Sequence, residues 1–159
     1  MQWADVLNDP TLKNLPYKIE LNERGQIVMT PISNKHGLLQ SRIARALGNQ
    51  LNQGEVITEA SIKTDKGVKV ADVAWISDQF VQEHGFETPF TAAPEICVEI
   101  LSPSNSQEEM QEKRTLYLEG GAQEVWIVSE AGVVQLYDGN GLIQKSRYGV
   151  TLEGILLSV

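Results

Sequence analysis

Hydrophobic spacing changes period several times along the chain, and each change marks an element. Trp3, Val6 and Leu7 give a short helical pattern that stops at Asp9-Pro10, with a further boundary at Pro16. Tyr17–Leu21 and Gln26–Met29 are strand-like runs around Asn22-Glu23-Arg24-Gly25, which reads as a hairpin turn, and Thr30-Pro31 ends the second run. Ser33 is suited to cap a long helix. Leu38, Leu39, Ile43, Ala46, Leu47 and Leu51 follow the 3.6-residue repeat, Arg42, Arg45 and Gln50 fall towards solvent, and Gly54 reads as the terminator. Glu55–Lys63 alternates as a half-buried strand, Asp65-Lys66-Gly67 is a turn, and Val68–Ile76 is the next strand.

Asp78–His84 suits a short helix ended by Gly85, and 86–93 reads as loop. Ile96–Leu101 (ICVEIL) is an apolar run with β-branched enrichment between Pro94 and Pro103, the pattern of a fully buried strand. Ser106 and Glu109 fit a capping box opening a helix to about Glu119, ended by Gly120-Gly121. Glu124–Val128 and Val133–Tyr137 read as strands joined by the turn Glu130-Ala131-Gly132. After the turn signal Asp138-Gly139-Asn140-Gly141 comes a run from Leu142 to Tyr148.

Three charged residues break these patterns. Strand alternation places Asp72 on the face of Val70, Ala74 and Ile76, and Glu99 on the face of Cys97 and Leu101. In the helix after Ser106 the inward stripe is Met110, Lys113, Leu116 and Tyr117, so Lys113 falls on the buried side. Any one of them alone suits a structural ion pair. Together, on consecutive elements, they tilt towards a site, because two approaching carboxylates repel unless a cation joins them. Hard oxygen ligands favour Mg²⁺ or Mn²⁺, which lowers the pKa of bound water and stabilises charge on a phosphoryl oxygen. That chemistry fits phosphodiester hydrolysis.

Composition narrows the class. The 159 residues suit one domain, 1–159, with ordinary apolar (42%) and charged (21%) fractions. No stretch is long enough to span a bilayer, and the N-terminus lacks a basic segment followed by an apolar core, so a cytoplasmic location is the expectation. The lone Cys97 lies in the buried run, which excludes an intramolecular disulfide and disfavours a thiolate nucleophile. A net charge of -8 argues against binding nucleic acid over the whole surface and leaves only a local basic cleft for that purpose. His36, without a second metal-spaced His or Cys, reads as a surface residue, and His84 as a helix C-terminal residue. Trp75 and Trp126 read as core aromatics, Ser102 and Ser104 as turn or capping residues, and Glu59 and Lys63 share a strand face.

Ala71-Asp72-Val73, Glu99-Ile100-Leu101-Ser102-Pro103-Ser104, Lys113, Tyr117, Gly121-Ala122 and Glu124-Val125-Trp126-Ile127-Val128 together resemble the Uma-two family of putative restriction endonucleases, within the PD-(D/E)XK nuclease superfamily. Ile19-Glu20-Leu21 and 25–31 (GQIVMTP) are similar as well, so the resemblance covers nearly the whole chain. It implies a restriction-endonuclease-like α/β fold, a mixed β-sheet flanked by helices, here with an N-terminal β-hairpin. It further implies metal ligation by Asp72, Glu99 and the backbone carbonyl of Ile100. The lysine usual at position 101 is Leu101 here, and Lys113 is the implied replacement; Glu20 matches a further acidic position of the site. Two other departures, Ala71 for the usual Pro and Gly121-Ala122 for the usual Gly-Val, remove no ligand.

The expectation is therefore a Mg²⁺-dependent (or Mn²⁺-dependent) endonuclease acting on DNA, with Asp72, Glu99, Lys113 and Glu20 as catalytic residues. A homodimer is expected through the C-terminal hairpin strands. The acidic surface keeps a second reading open, a catalytically inactive nuclease-fold interaction or regulatory module. A third is a metal-dependent hydrolase of another phosphate ester.

Overall fold

In the computed structural model, which describes residues 1–154, the chain folds as a six-stranded mixed sheet flanked by helices, with a separate two-stranded hairpin against it. Helix α1 (Trp3–Asn8) and a 3-10 turn (Pro10–Leu12) lead into β1 (Tyr17–Leu21) and β2 (Ile27–Pro31), an antiparallel pair. The turn between them is held by Asn22, whose Oδ1 accepts from the backbone N–H of Arg24 and of Gln26, both at 3.0 Å. β2 runs through Pro31 rather than ending before it, which an edge strand tolerates because the missing N–H faces no partner.

Ser33 caps α2 (Asn34–Gln50), accepting from His36 N–H at 3.1 Å. The helix buries Leu39, Ile43, Ala46 and Leu47, while Leu38, expected on the same stripe, is 42% exposed. Gly54 does not terminate the helix, as its residue type suggests. It opens β3 (Gly54–Thr64), where a Cβ would strike the Trp75 ring and the Ile76 carbonyl. β3 pairs antiparallel with β4 (Gly67–Ser77) through a turn in which Gly67, at φ +90°, lies against the backbone carbonyls of Leu21 and Asn22. No larger residue fits there without shifting the hairpin.

After α3 (Asp78–His84) comes β5 (Ile96–Leu101), antiparallel to β4, then α4 (Gln107–Glu119) and β6 (Glu124–Ser129). β5 and β6 are parallel, and a parallel pair needs a crossover; α4 supplies it and is thereby laid over the sheet next to β5. Ser106 caps α4 through Glu109 N–H (3.1 Å), but the Glu109 carboxylate accepts from Asn105 Nδ2 rather than completing a capping box. The sheet ends in β7 (Val134–Asp138) and β8 (Gly141–Ile143), in the order β3-β4-β5-β6-β7-β8. Of the run Leu142–Tyr148 only the start lies in a strand; from Ser146 the chain turns, its side chain and the N–H of Arg147 bonding to the buried Glu124 carboxylate.

One face of the sheet packs Val73, Trp75, Val98, Ile100 and Trp126 against Leu39, Ile43 and Leu47 of α2. The other packs Ala74, Ile76, Cys97, Val125 and Ile127 with Phe80, Met110 and Tyr117. Burying each large aliphatic side chain contributes about 1.5–3 kcal/mol, so these two layers fix the sheet rigidly. A third, smaller cluster (Trp3, Val6, Leu21, Val68, Val70) docks the hairpin. Trp75 and Trp126 are buried, as expected, and residues 155–159 of the expected single domain lie outside the described residues.

Candidate active site

The site forms where the ladders on both sides of β4 are interrupted. Between β3 and β4 the pairs Thr58↔Val73 and Ala60↔Ala71 flank an unpaired Glu59 and Asp72. Glu59 there adopts φ 56°, the left-handed region that a non-glycine residue enters at a cost. Between β4 and β5 the pairing stops at Val73↔Val98, one position short of Asp72 and Glu99. Side-chain groups fill the gaps. Gln40 Nε2 of α2 donates to the Asp72 carbonyl (2.9 Å) and to Glu59 Oε1 (2.7 Å), and the Ile100 N–H donates to Asp72 Oδ2 (2.7 Å).

Asp72 and Glu99, each 1% exposed, converge on one point. Lys18 of β1 holds it, with Nζ 3.1 Å from Asp72 Oδ1 and 2.9 Å from Glu99 Oε2. Lys113 of α4 lies 3.2 Å from Glu99 Oε1 and 2.7 Å from Glu20 Oε2. Tyr117, one turn further along α4, donates its hydroxyl to Glu99 Oε1 at 2.7 Å. Glu20, on the same face of β1 as Lys18, also accepts from the Val70 N–H at 2.6 Å. His36 Nε2 is 3.2 Å from Asp72 Oδ1. Three carboxylates and two ammonium groups therefore share a space largely shielded from solvent, with a histidine at its edge.

Burial disfavours every charge here, and the partners decide the outcome. It works against the Lys18 ammonium, but Glu99, Asp72 and Glu20 outweigh it and raise the Lys18 pKa well above its ordinary value. Burial would raise Asp72; Lys18, the His36 hydrogen bond and the Ile100 N–H hold it far below the usual carboxylate range. Glu20 is likewise lowered against burial, mainly by Lys113 and Lys18. Glu99, the most enclosed, goes the other way: burial, with Asp72 and Glu20 beside it, raises it despite Lys113 and Lys18. Burial and the Glu99 charge push the Tyr117 hydroxyl well up, so it stays a hydrogen-bond donor. Burial also raises the Cys97 thiol well above its ordinary value, against a nucleophilic role.

The structure brings Asp72, Glu99, Lys113 and Glu20 into one cluster, as the sequence predicts, with Ile100 beside them through its N–H. Lys18 was missed, although strand alternation puts it on the face of Glu20. His36 corrects the surface reading: it is 5% exposed and paired with Asp72. Its spacing to Leu39 and Ile43 along α2 carried that signal. Ser102 takes the turn role, with Oγ bonded to Asn105 Oδ1 at 2.8 Å, and His84 meets Glu87 at 3.1 Å.

Among the described residues no three His, Cys, Asp or Glu side chains are grouped to hold a metal ion. The donor chemistry nevertheless fits a hard divalent cation, since two carboxylate oxygens aim at one point already held by a positive charge. The room beside it is about 10 Å³, near that of one water molecule. An adjoining cleft of about 460 Å³ opens between β2 and the start of α4, reaching Glu20 and Lys113. Its rim carries Glu108, Glu109 and Glu112 as well as Lys69.

Among the described residues no helix is long and apolar enough to cross a membrane. No functionally curated protein matches the chain. The fold is similar to the crystal structure of a putative nuclease belonging to DUF820 from Anabaena variabilis ATCC 29413, with a TM-score of 0.67 and 17% identity over 87% of this chain and 89% of that one. The sequence profile of the Uma2 (Uma-two) family, described as putative restriction endonucleases, matches residues 5–157. On that match the chain belongs to the Uma2 family of putative restriction endonucleases.

Proposed function

We propose that the protein is a Mg²⁺-dependent (or Mn²⁺-dependent) endonuclease that hydrolyses DNA phosphodiester bonds. The observation that carries this reading is the convergence of Asp72 Oδ1 and Glu99 Oε2 on a single cation position, with Lys113 on the other Glu99 oxygen. Asp72, Glu99 and the Ile100 carbonyl would hold the ion; that carbonyl lies on the side of β5 whose N–H meets Asp72. A divalent ion held there would supply Lewis acidity, easing deprotonation of an attacking water and screening the phosphoryl charge. Lys113 stabilises the negative charge that develops as the phosphorus is attacked. Glu20 positions Lys113, and Tyr117 fixes the Glu99 carboxylate so that its other oxygen stays on the cation point.

Nicking of supercoiled plasmid, followed with Mg²⁺, Mn²⁺ or a chelator, tests the reading. Wild-type protein should nick only with metal, and Asp72→Asn should not nick at all. A wild-type protein inert on duplex, single-stranded and branched DNA would refute it. Two strands are commonly cut by two active sites, and we propose a homodimer through the C-terminal hairpin strands β7 and β8, where Leu142 is exposed at the edge of the sheet, testable by analytical ultracentrifugation. We place the protein in the cytoplasm, where a buried free Cys97 stays reduced.

One observation favours the second reading, an inactive interaction module. The cleft leading to the site is rimmed by Glu108, Glu109 and Glu112 in a chain of net charge -8, which repels a polyanion. Asp72-independent binding of a protein partner without metal-dependent cleavage would favour that module.

A further inference from the structure

Lys18 occupies the position at which a metal would sit. Its ammonium bonds to one oxygen of Asp72 and one of Glu99, and the side chain is 7% exposed. About 10 Å³ remains beside it, whereas a divalent ion such as Mg²⁺ keeps several waters when bound. Ion and ammonium cannot share the point. Lys18 also comes from outside the main sheet. β1 belongs to the separate hairpin, which no strand ladder joins to β4 among the described residues. It is held by the Glu20–Val70 hydrogen bond and the small apolar cluster around Leu21.

We propose that Lys18 is a built-in competitor for the divalent cation, so that metal enters only as the Lys18 ammonium withdraws from Asp72 and Glu99. The inference rests on the metal-site reading above and adds to it the state of the site before loading: the cation point filled by the protein's own ammonium group. Two opposed demands meet in one residue. Without an ion, Lys18 offsets the repulsion between two buried carboxylates; with an ion, it is a surplus positive charge beside a dication. If the withdrawn state holds about a tenth of the molecules, the apparent Kd for metal is weakened about tenfold relative to the open site.

Mn²⁺ binding followed by electron paramagnetic resonance, on wild-type, Lys18→Met and Asp72→Asn proteins, tests this without reference to activity. Lys18→Met should bind Mn²⁺ about tenfold more tightly or better, and Asp72→Asn should lose binding. Acetylation of the wild-type protein, read by mass spectrometry, gives a second measurement that needs no substitution at 18. Lys18 should be protected without Mn²⁺ and reactive with it, and this arm decides the matter if Lys18→Met does not fold. Equal affinity of wild-type and Lys18→Met, with Asp72-dependent binding in both, would overturn the competition and leave the metal site standing. So would a Lys18 that stays protected in the loaded protein. No Asp72-dependent binding in either protein would overturn the metal site and the competition together.

Discussion

Removing the Lys113 ammonium offers the sharpest test of how the site is held. In Lys113→Met the chain keeps a side chain of similar length on the buried face of α4 but loses the contacts to Glu20 (2.7 Å) and Glu99 (3.2 Å). Glu99 retains Lys18 and the Tyr117 hydroxyl; Glu20 keeps one described hydrogen bond, from the Val70 N–H, and only the more distant attraction of Lys18. Breaking a buried ion pair from one side costs about 3–5 kcal/mol, because a charge stays behind without its partner. For a domain of this size each kcal/mol lowers Tm by about 2–4 °C, so a fall near 10 °C is expected in calorimetry or circular dichroism. Adding Glu20→Gln removes the stranded charge. The double variant should therefore be less destabilised than the sum of the singles, with a coupling of about 0.5–3 kcal/mol. A Lys113→Met protein within about 1 kcal/mol of wild type, or singles that simply add, would show that these contacts do not hold the cluster.

Three further outcomes follow from the geometry. Tyr117→Phe deletes a donor to a buried carboxylate and should cost about 1.5–3 kcal/mol in urea unfolding without changing the m-value. The hydrogen bond and charge of Asp72 raise the His36 pKa above its ordinary value, so the stabilisation from His36 is full below about pH 6.5 and is lost as pH rises through the folded pKa. The Tm difference between wild type and His36→Gln should thus be largest under mildly acid conditions and shrink under alkaline ones; a difference that grows with pH would contradict the assignment. Gly67→Ala places a methyl group against the carbonyls of Leu21 and Asn22 at a φ of +90°, and should lower Tm while raising the acetylation rate of Lys18 as the hairpin is pushed off the sheet.

Residues whose chemistry conflicts with their own element could be found from sequence. Asp72 and Glu99 interrupt apolar strands, and Lys113 interrupts an apolar helix stripe, so periodicity alone exposes all three. Glu20 came through resemblance. Lys18 stayed hidden because it conflicts with nothing: a lysine in a short hairpin strand beside the half-exposed Tyr17 looks like a solvated edge. Its burial is decided by docking the hairpin over β4, a tertiary event with no local trace. His36 was obscured by its place in the first turn of α2, where side chains usually meet water. The ladder gaps beside Asp72 were equally illegible, since the residue type at 59 does not signal the left-handed backbone it adopts, and its partner Gln40 comes from a distant helix. Gly54 misled for the converse reason. Its lack of a side chain serves a close approach to Trp75, not the end of a helix.

The Asn22 turn carries responsibility for atoms far from it. Lys18 and Glu20 lie on one face of β1, opposite Thr30 and Val28 of β2, and the hydrogen bonds to Asn22 Oδ1 hold that register. Deleting one residue from the loop would slip β1 against β2 by one position and set their faces out of step, so the hairpin could no longer keep both its own pairing and the inward face of Lys18 and Glu20. A change at the tip of an exposed loop would then disturb two members of the buried charge cluster at once. Tolerance to loop variation, ordinarily the most permissive property of a fold, should be lowest there.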